Sequence, residues 1–292
     1  MGVKLKVAQG EIGGRETFRV LYPADRISYT AQRGDHSTQL YVREDGTFDG
    51  GECCGRHWRG RRVSVSSQGG GLAAYADLRV QVPKGARIEI NLAVGKVAVT
   101  NVDGDVSIEA HGAPVTTSGT RGELGIDVGS GSVQVTGAEG ELSVDTGSGG
   151  VEVTRFRGRT FSVSTGSGEV TASDVHATTL SVETGSGEVR LTGASSPTVV
   201  LETGSGSVTA ELQADIRSLA VETGSGDVSI KAPPGLGAEV EIETSSGDIE
   251  TDFPLQVTRH SRDHLMGRIG DGDGRIAIET GSGEVRLLKA GS

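Results

Sequence analysis

The feature that most constrains the fold is a short turn that keeps returning. Leu180-Ser-Val-Glu-Thr-Gly-Ser-Gly-Glu-Val-Arg-Leu191 is an alternating run, a Thr-Gly-Ser-Gly turn and a second alternating run. Gly-Ser-Gly recurs at 129–131, 147–149, 166–168, 185–187, 204–206, 224–226 and 281–283, with Ser-Ser-Gly at 245–247. Degenerate copies precede these around Ala93-Val-Gly95 and Gly112-Ala113. The spacing drifts from 18 to 21 residues and then jumps to 36 before the last copy. A near-constant period of this length marks stacked units that share one core.

Each unit reads as two strands. Leu180, Val182, Val189 and Leu191 fall on one side, and Ser181, Glu183, Glu188 and Arg190 on the other, which is the period-two signature. The glycines supply the backbone freedom of a tight reversal. A second, variable corner closes the unit, as in Gly137-Ala-Glu-Gly140 or Ala232-Pro-Pro-Gly-Leu-Gly237. One hairpin alone is marginal in water, so neighbouring units must bury each other. In a β-solenoid the same position pairs from turn to turn. That predicts one aliphatic ladder through Val144, Val163, Val182, Leu201, Val221, Ile242 and Ile278. A β-propeller is the rival, but its blades need about 40–45 residues. The expected fold is an all-β, single-chain solenoid of about ten rungs of 18–21 residues, and such a rod would be roughly 45 Å long at about 4.8 Å per rung.

Composition agrees. Glycine is 47 of 292 residues, yet periodic, so it signals turns rather than disorder. Aromatic residues are 3%, which suits a thin aliphatic core. The net charge of −11 argues against general nucleic-acid binding. No run approaches the ~20 apolar residues of a membrane span, and no signal peptide is recognisable. Met1-Gly2 and Gly291-Ser292 read as added ends, which leaves room for a native leader ahead of them.

Residues 1–85 hold the only Trp, all four Tyr and both Cys. Val3–Val7, Thr17–Val20, Arg26–Thr30, Gln39–Val42, Arg62–Val65 and Ala76–Val82 read as strands of a β-rich N-terminal capping region that shields the first rung. Residues 86–289 form the repeat domain, interrupted at 251–274, and 290–292 are a tail. The interruption is expected to cover the C-terminal end, with one last rung closing the chain.

The chain resembles the bacterial DUF4097 family of adhesin-like β-strand-repeat proteins. The resemblance rests on Val80-Gln-Val-Pro-Lys-Gly-Ala86, Val102-Asp-Gly-Asp-Val106, the Thr-Gly-Ser-Gly-x-Val series, Asp252-Phe-Pro-Leu255, Gly267-Arg-Ile-Gly270 and Ile278–Val285. It spans roughly 75–289. It implies a right-handed β-helix-like solenoid, exported to or anchored at the bacterial envelope, with no established enzymatic activity and no catalytic residues.

Candidate sites follow from the residues themselves. Acids flank the turns: Asp145, Glu183, Glu202, Glu222, Glu243 and Glu279 before, and Glu169, Glu188, Asp227, Asp248 and Glu284 after. Stacked about 5 Å apart, like charges repel, and Ca²⁺ could bridge Glu183, Glu188, Glu202, Glu222 or Asp227 through oxygen ligands. The Gly-Gly-x-Gly-x-Asp nonapeptide of calcium β-rolls is absent, so a solvated acidic edge is the plainer reading. Asp271 and Asp273 in Asp271-Gly-Asp-Gly274 resemble part of a calcium loop but lack the EF-hand spacing, so a glycine-rich turn is the plainer reading. Cys53, Cys54 and His57 fall short of a zinc set of about four ligands, and loop thiols or a vicinal or intermolecular disulfide account for them. Arg56, His57, Trp58, Arg59, Arg61 and Arg62 form the one basic–aromatic cluster, suited to an anionic surface or glycan, or to pairing with the acidic body. Nothing resembles a nucleophile elbow. A sugar-acting β-helix would need carboxylates beside stacking aromatics, and the rungs offer Phe156, Phe161 and little else. No cofactor or metal is expected. The expected role is a non-enzymatic scaffold meeting a protein or glycan partner at the envelope. Self-association end to end into filaments is the second reading, and a polysaccharide-acting enzyme the third.

Overall fold

A computed structural model describes residues 6–12, 14–29, 37–48, 60–66, 70–214 and 216–291. Among them every regular element is a strand. The repeat domain is a two-faced β-solenoid. The first face runs, rung by rung, through Ala86–Val94, Gly104–Gly112, Arg121–Ser130, the second halves of Val133–Ser148 and Val151–Ser167, Thr179–Ser186, Thr198–Ser205 and Ser218–Thr223. The second face runs through Val97–Thr100, Val115–Ser118, residues 133–136 and 151–156, Val170–His176, Val189–Ala194, Val208–Leu212 and Val228–Ala232. All these neighbours are parallel, as a coil requires and a row of hairpins does not.

The alternation read in the sequence sets the core. Leu180, Val182, Val189 and Leu191 are fully buried, and the same positions of other rungs join them in one cluster along the rod. Phe156 and Phe161 belong to it as well, packed edge to face with centroids 5.4 Å apart and no exposed surface. They are core residues, not a platform for sugar.

The turn threonine also points inward. Thr146, Thr165, Thr184, Thr203, Thr223, Thr280 and Thr244 are each no more than 5% exposed. Five of their hydroxyls donate to the last turn glycine of the adjoining rung: Thr184 Oγ1 to Gly168 O at 3.4 Å, Thr203 to Gly187 at 3.3 Å, Thr223 to Gly206 at 3.1 Å, Thr280 to Gly226 at 3.2 Å and Thr244 to Gly283 at 3.3 Å. A β-branched side chain fills the corner while its hydroxyl bonds a backbone carbonyl of the adjoining rung.

The turn glycines are needed chiefly for space. A Cβ on Gly185 would lie 2.5 Å from the Gly166 carbonyl oxygen, and one on Gly187 would lie 2.0 Å from that of Gly168. Rungs touch backbone to backbone at this corner, which is why the motif barely varies.

The stacking order departs from the chain order at the C-terminal end. Ser218–Thr223 pairs not with the next rung in sequence but with Gly274–Ser282, through Val221↔Ile278. Gly274–Ser282 in turn pairs with Ala238–Ser246, through Ile242↔Ile278. On the second face Val285–Lys289 sits likewise between Val228–Ala232 and Ile249–Thr251. The last rung is therefore threaded between two earlier ones, and the aliphatic ladder runs Val221, Ile278, Ile242. The corner Ala232–Gly237 climbs two rung heights to leave the slot, and Gly274 enters it between the Ile216 and Gly237 carbonyls. A last rung at the tip, as the sequence order implies, is corrected on this point. The interruption does cover the end. Leu255–His260 and His264–Ile269 form a hairpin whose second strand pairs antiparallel with Ala238–Ser246, now the outermost rung.

N-terminal to the rod, Lys6–Ile12 pairs with Arg15–Leu21, and Arg26–Ser28, Ser37–Val42, Arg61–Ser66 and Leu72–Ala73 form a second sheet. Neither sheet joins the ladder of the first rung. Their described contacts with the rod include Arg15 to Glu89 and the approach of Ser37–Val42 to Ala86–Val94, and Phe48, bridged to Val42, lies with its ring centroid 6.0 Å from that of His111. Residues 76–82 alternate as a strand should, yet they join no ladder, and Leu78 and Val80 are exposed.

Candidate functional site

Regular stacking turns the acid before each turn into a column. Glu109, Asp127 and Asp145 stand in line, Ser164 interrupts, and Glu183, Glu202, Glu222, Glu279 and Glu243 continue it. One carboxylate per rung gives a spacing of about 4.8 Å. Among the described residues no ion pair engages Glu183, Glu202, Glu222 or Glu279.

The acids after the turns form a separate column across the corner. Backbone bonds place Glu169, Glu188, Ser207, Asp227, Glu284 and Asp248 in succession. This column is partly neutralised. Arg190 pairs with Glu188, and Arg286 pairs with Glu284 at 2.7 Å and with Glu250 at 3.3 Å. The seven calcium candidates thus divide. Glu183, Glu202 and Glu222 share one column, Glu188 and Asp227 the other with Ser207 between them, and Asp271 and Asp273 occupy the turn that leads into the last rung.

The acid-before-turn column ends at the hairpin. Glu243 lies directly opposite His264, and Glu241, two residues back, projects on the same side. His264 Nε2 is 3.3 Å from Glu243 Oε1 and 3.9 Å from Glu241 Oε1, but aligned for a hydrogen bond with neither. Arg275 reaches Glu241 at 3.6 Å. A shallow depression here is lined by Glu243, Ser245, Arg259, Asp263, His264 and Glu279. Ser261 Oγ donates to Asp263 Oδ1 at 2.6 Å, and this bond, with one from the Asp263 backbone N–H, holds the Asp263 carboxyl below the usual carboxylate range. Among the described residues, Glu241, Glu243 and His264 are the one cluster of His, Cys, Asp and Glu whose ligand atoms lie within 4.8 Å of each other. Sequence reasoning missed this cluster. His264 lies in the excursion, outside the period, and only the antiparallel return brings it to the rung.

Of the basic–aromatic cluster, Arg56, His57, Trp58 and Arg59, together with Cys53 and Cys54, lie outside the described residues. Arg61 is engaged locally, with Asp25 at 2.8 Å and the Tyr22 carbonyl at 2.7 Å, and Arg62 donates to Gln39. A further exposed network sits at the variable corner. There Arg157 donates to Asp174 Oδ1 at 2.8 Å and lowers its carboxyl pKa.

No curated protein and no solved structure matches the chain. A family model does, the one described as Toastrack DUF4097, over residues 74–288. That span takes in every rung of the solenoid and its C-terminal hairpin, and the chain belongs to the DUF4097 family.

Proposed function

We propose that this protein is a non-enzymatic, adhesin-like interaction scaffold of the bacterial envelope or cell surface, meeting a protein or glycan partner through a rigid repeated β-surface. The observation that carries the reading is the in-register column Glu183, Glu202, Glu222, Glu279 and Glu243, set on a wall of parallel strands. Its backbone hydrogen bonds are made between rungs, so the array is pre-organised and little ordering cost remains to be met on binding. The test compares binding of the chain to isolated envelope fractions with that of a variant carrying Glu→Gln at 183, 202, 222 and 279. Loss of binding in a correctly folded variant supports the reading. Equal binding by both chains, or binding by neither, refutes it.

The filament reading has one observation in its favour. Ala86–Val94 pairs only with Gly104–Gly112, so among the described residues its outer edge takes no strand. Against it stands the opposite end. The outermost strand there, Leu255–His260, carries Arg259 and His260 and an irregularity between Val257 and Arg259, devices that blunt an edge against pairing. Head-to-tail growth needs two receptive ends. Light scattering with negative-stain microscopy separates the readings: short monodisperse rods are expected, and filaments would reverse the order of preference.

A further inference from the structure

We propose that Glu241, Glu243 and His264 bind one divalent transition-metal ion of the zinc class, which clasps the C-terminal hairpin to the outermost rung. Glu241 and Glu243 come from the rung strand Ala238–Ser246 and His264 from the hairpin strand His264–Ile269. A metal held by all three joins two elements that are otherwise held by a single antiparallel ladder.

The geometry is close to what such an ion needs. With metal–ligand bonds of about 2.0–2.1 Å, tetrahedral ligand atoms stand roughly 3.4 Å apart. The Nε2 to carboxylate separations are 3.3 Å and 3.9 Å, and the three ligand atoms lie within 4.8 Å of each other. The two Nε2 separations lie within about half an ångström of that spacing, rotation of the two exposed-edge carboxylates brings the set together, and a water completes the four ligands, as at zinc sites with three protein ligands.

The imidazole sets this place apart from the rest of the acidic column. His264 Nε2 has virtually no contact with solvent and no hydrogen-bond partner. A polar atom buried in that state costs free energy, and a neutral imidazole nitrogen is a ready metal ligand. Two carboxylates and a nearby third, Asp263, favour a cation, opposed by Arg275 and Arg259. A nitrogen in the donor set selects a zinc-class ion over calcium, which takes oxygen ligands throughout.

The test is titration calorimetry with Zn²⁺ on metal-stripped protein. A Cys53→Ser/Cys54→Ser background keeps the adjacent thiols from competing. One saturable site is expected. His264→Gln and Glu243→Gln should each weaken it at least tenfold, and Glu222→Gln, in the same column but distant from the imidazole, should leave it unchanged. Saturating Zn²⁺ should raise the melting temperature and slow amide exchange across residues 255–269. Two ligand variants, each checked for fold by circular dichroism, guard against one failing to fold. Absence of a saturable site, full affinity in either ligand variant, or equal weakening by Glu222→Gln would overturn the proposal. The last result would mean diffuse counterion binding along the column.

Discussion

Ile278→Ala is the sharpest test of the threaded C-terminal rung. In the order found here, Ile278 is 2% exposed and flanked by Val221 on one side and Ile242 on the other. Truncating such a side chain removes its transfer free energy and leaves a cavity walled by two fixed strands, a loss of about 2–5 kcal/mol. At roughly 2–4 °C per kcal/mol for a domain of this size, the melting temperature should fall by about 4–20 °C. If the rungs stacked in chain order, Ile278 would lie in a terminal rung with one neighbour, and the loss would be nearer that of Ile90→Ala. Ile90 is partly buried in the first rung, where a single strand adjoins it. Thermal unfolding of the two variants, read with hydrogen exchange of the unmodified chain, gives the comparison. Amides of 275–289 should exchange as slowly as those of 198–212, because both of their edges are bonded, and those of 249–251 should exchange faster. Equal costs for Ile278→Ala and Ile90→Ala, together with rapid exchange across 275–289, would place the last rung at the tip and refute the threading.

Further outcomes follow from the same geometry. Gly187→Ala puts a Cβ 2.0 Å from a backbone oxygen and should cost several kcal/mol in chemical denaturation, whereas Gly137→Ala, at φ 66° with nothing within 4 Å, should cost only the left-handed penalty of about 1–2 kcal/mol. Thr203→Val loses the bond to Gly187 and should destabilise by about 1 kcal/mol, while Thr165→Val, whose hydroxyl is buried without a partner, should be neutral or stabilising by the same assay. Glu222→Gln, flanked by Glu202 and Glu279, should stabilise by up to about 1 kcal/mol at low salt and lose that advantage in 1 M NaCl. Asp174 has its carboxyl pKa depressed by the Arg157 hydrogen bond, so its contribution is present above the unfolded value of about 3.9 and lost as pH falls through the lower folded one. Arg157→Gln should therefore lower the melting temperature more at pH 6 than in acid, where protonation of Asp174 leaves Arg157 only its bonds to the Phe156 and Asp174 carbonyls.

The rungs were legible because each one repeats the solution of its neighbour. Period-two alternation in Leu180–Leu191 identifies the buried side chains, and the recurrence of Thr-Gly-Ser-Gly identifies the corner where they stack. The physical role of that motif was less visible. Glycine in a turn reads as conformational freedom, but Gly185 and Gly187 are needed because another backbone lies against them, a demand that exists only in the assembled stack. The threonine reads as polar and turns out to be core, since its hydroxyl finds a carbonyl in a different rung. The site at His264 was illegible for a related reason: the residue has no repeat position, and its partners lie more than twenty residues back across an antiparallel pairing. The order of the last two rungs could have been read, however. Thr280-Gly-Ser-Gly283 keeps both turn glycines although it is last in the chain, whereas Thr244-Ser-Ser-Gly247 replaces the first of them. From Gly147 onward a Cβ on the first turn glycine would lie 2.4–2.6 Å from the adjoining carbonyl oxygen and one on the last turn glycine 2.0–2.2 Å, so the first position is the looser of the two. Ser245 takes that looser position in the outermost parallel rung, and the long corner Ala232–Gly237 supplies the reach across the gap beneath it. The one irregular copy of the motif carries more information about the order of the stack than the regular copies, which are interchangeable and so say nothing about which lies next to which.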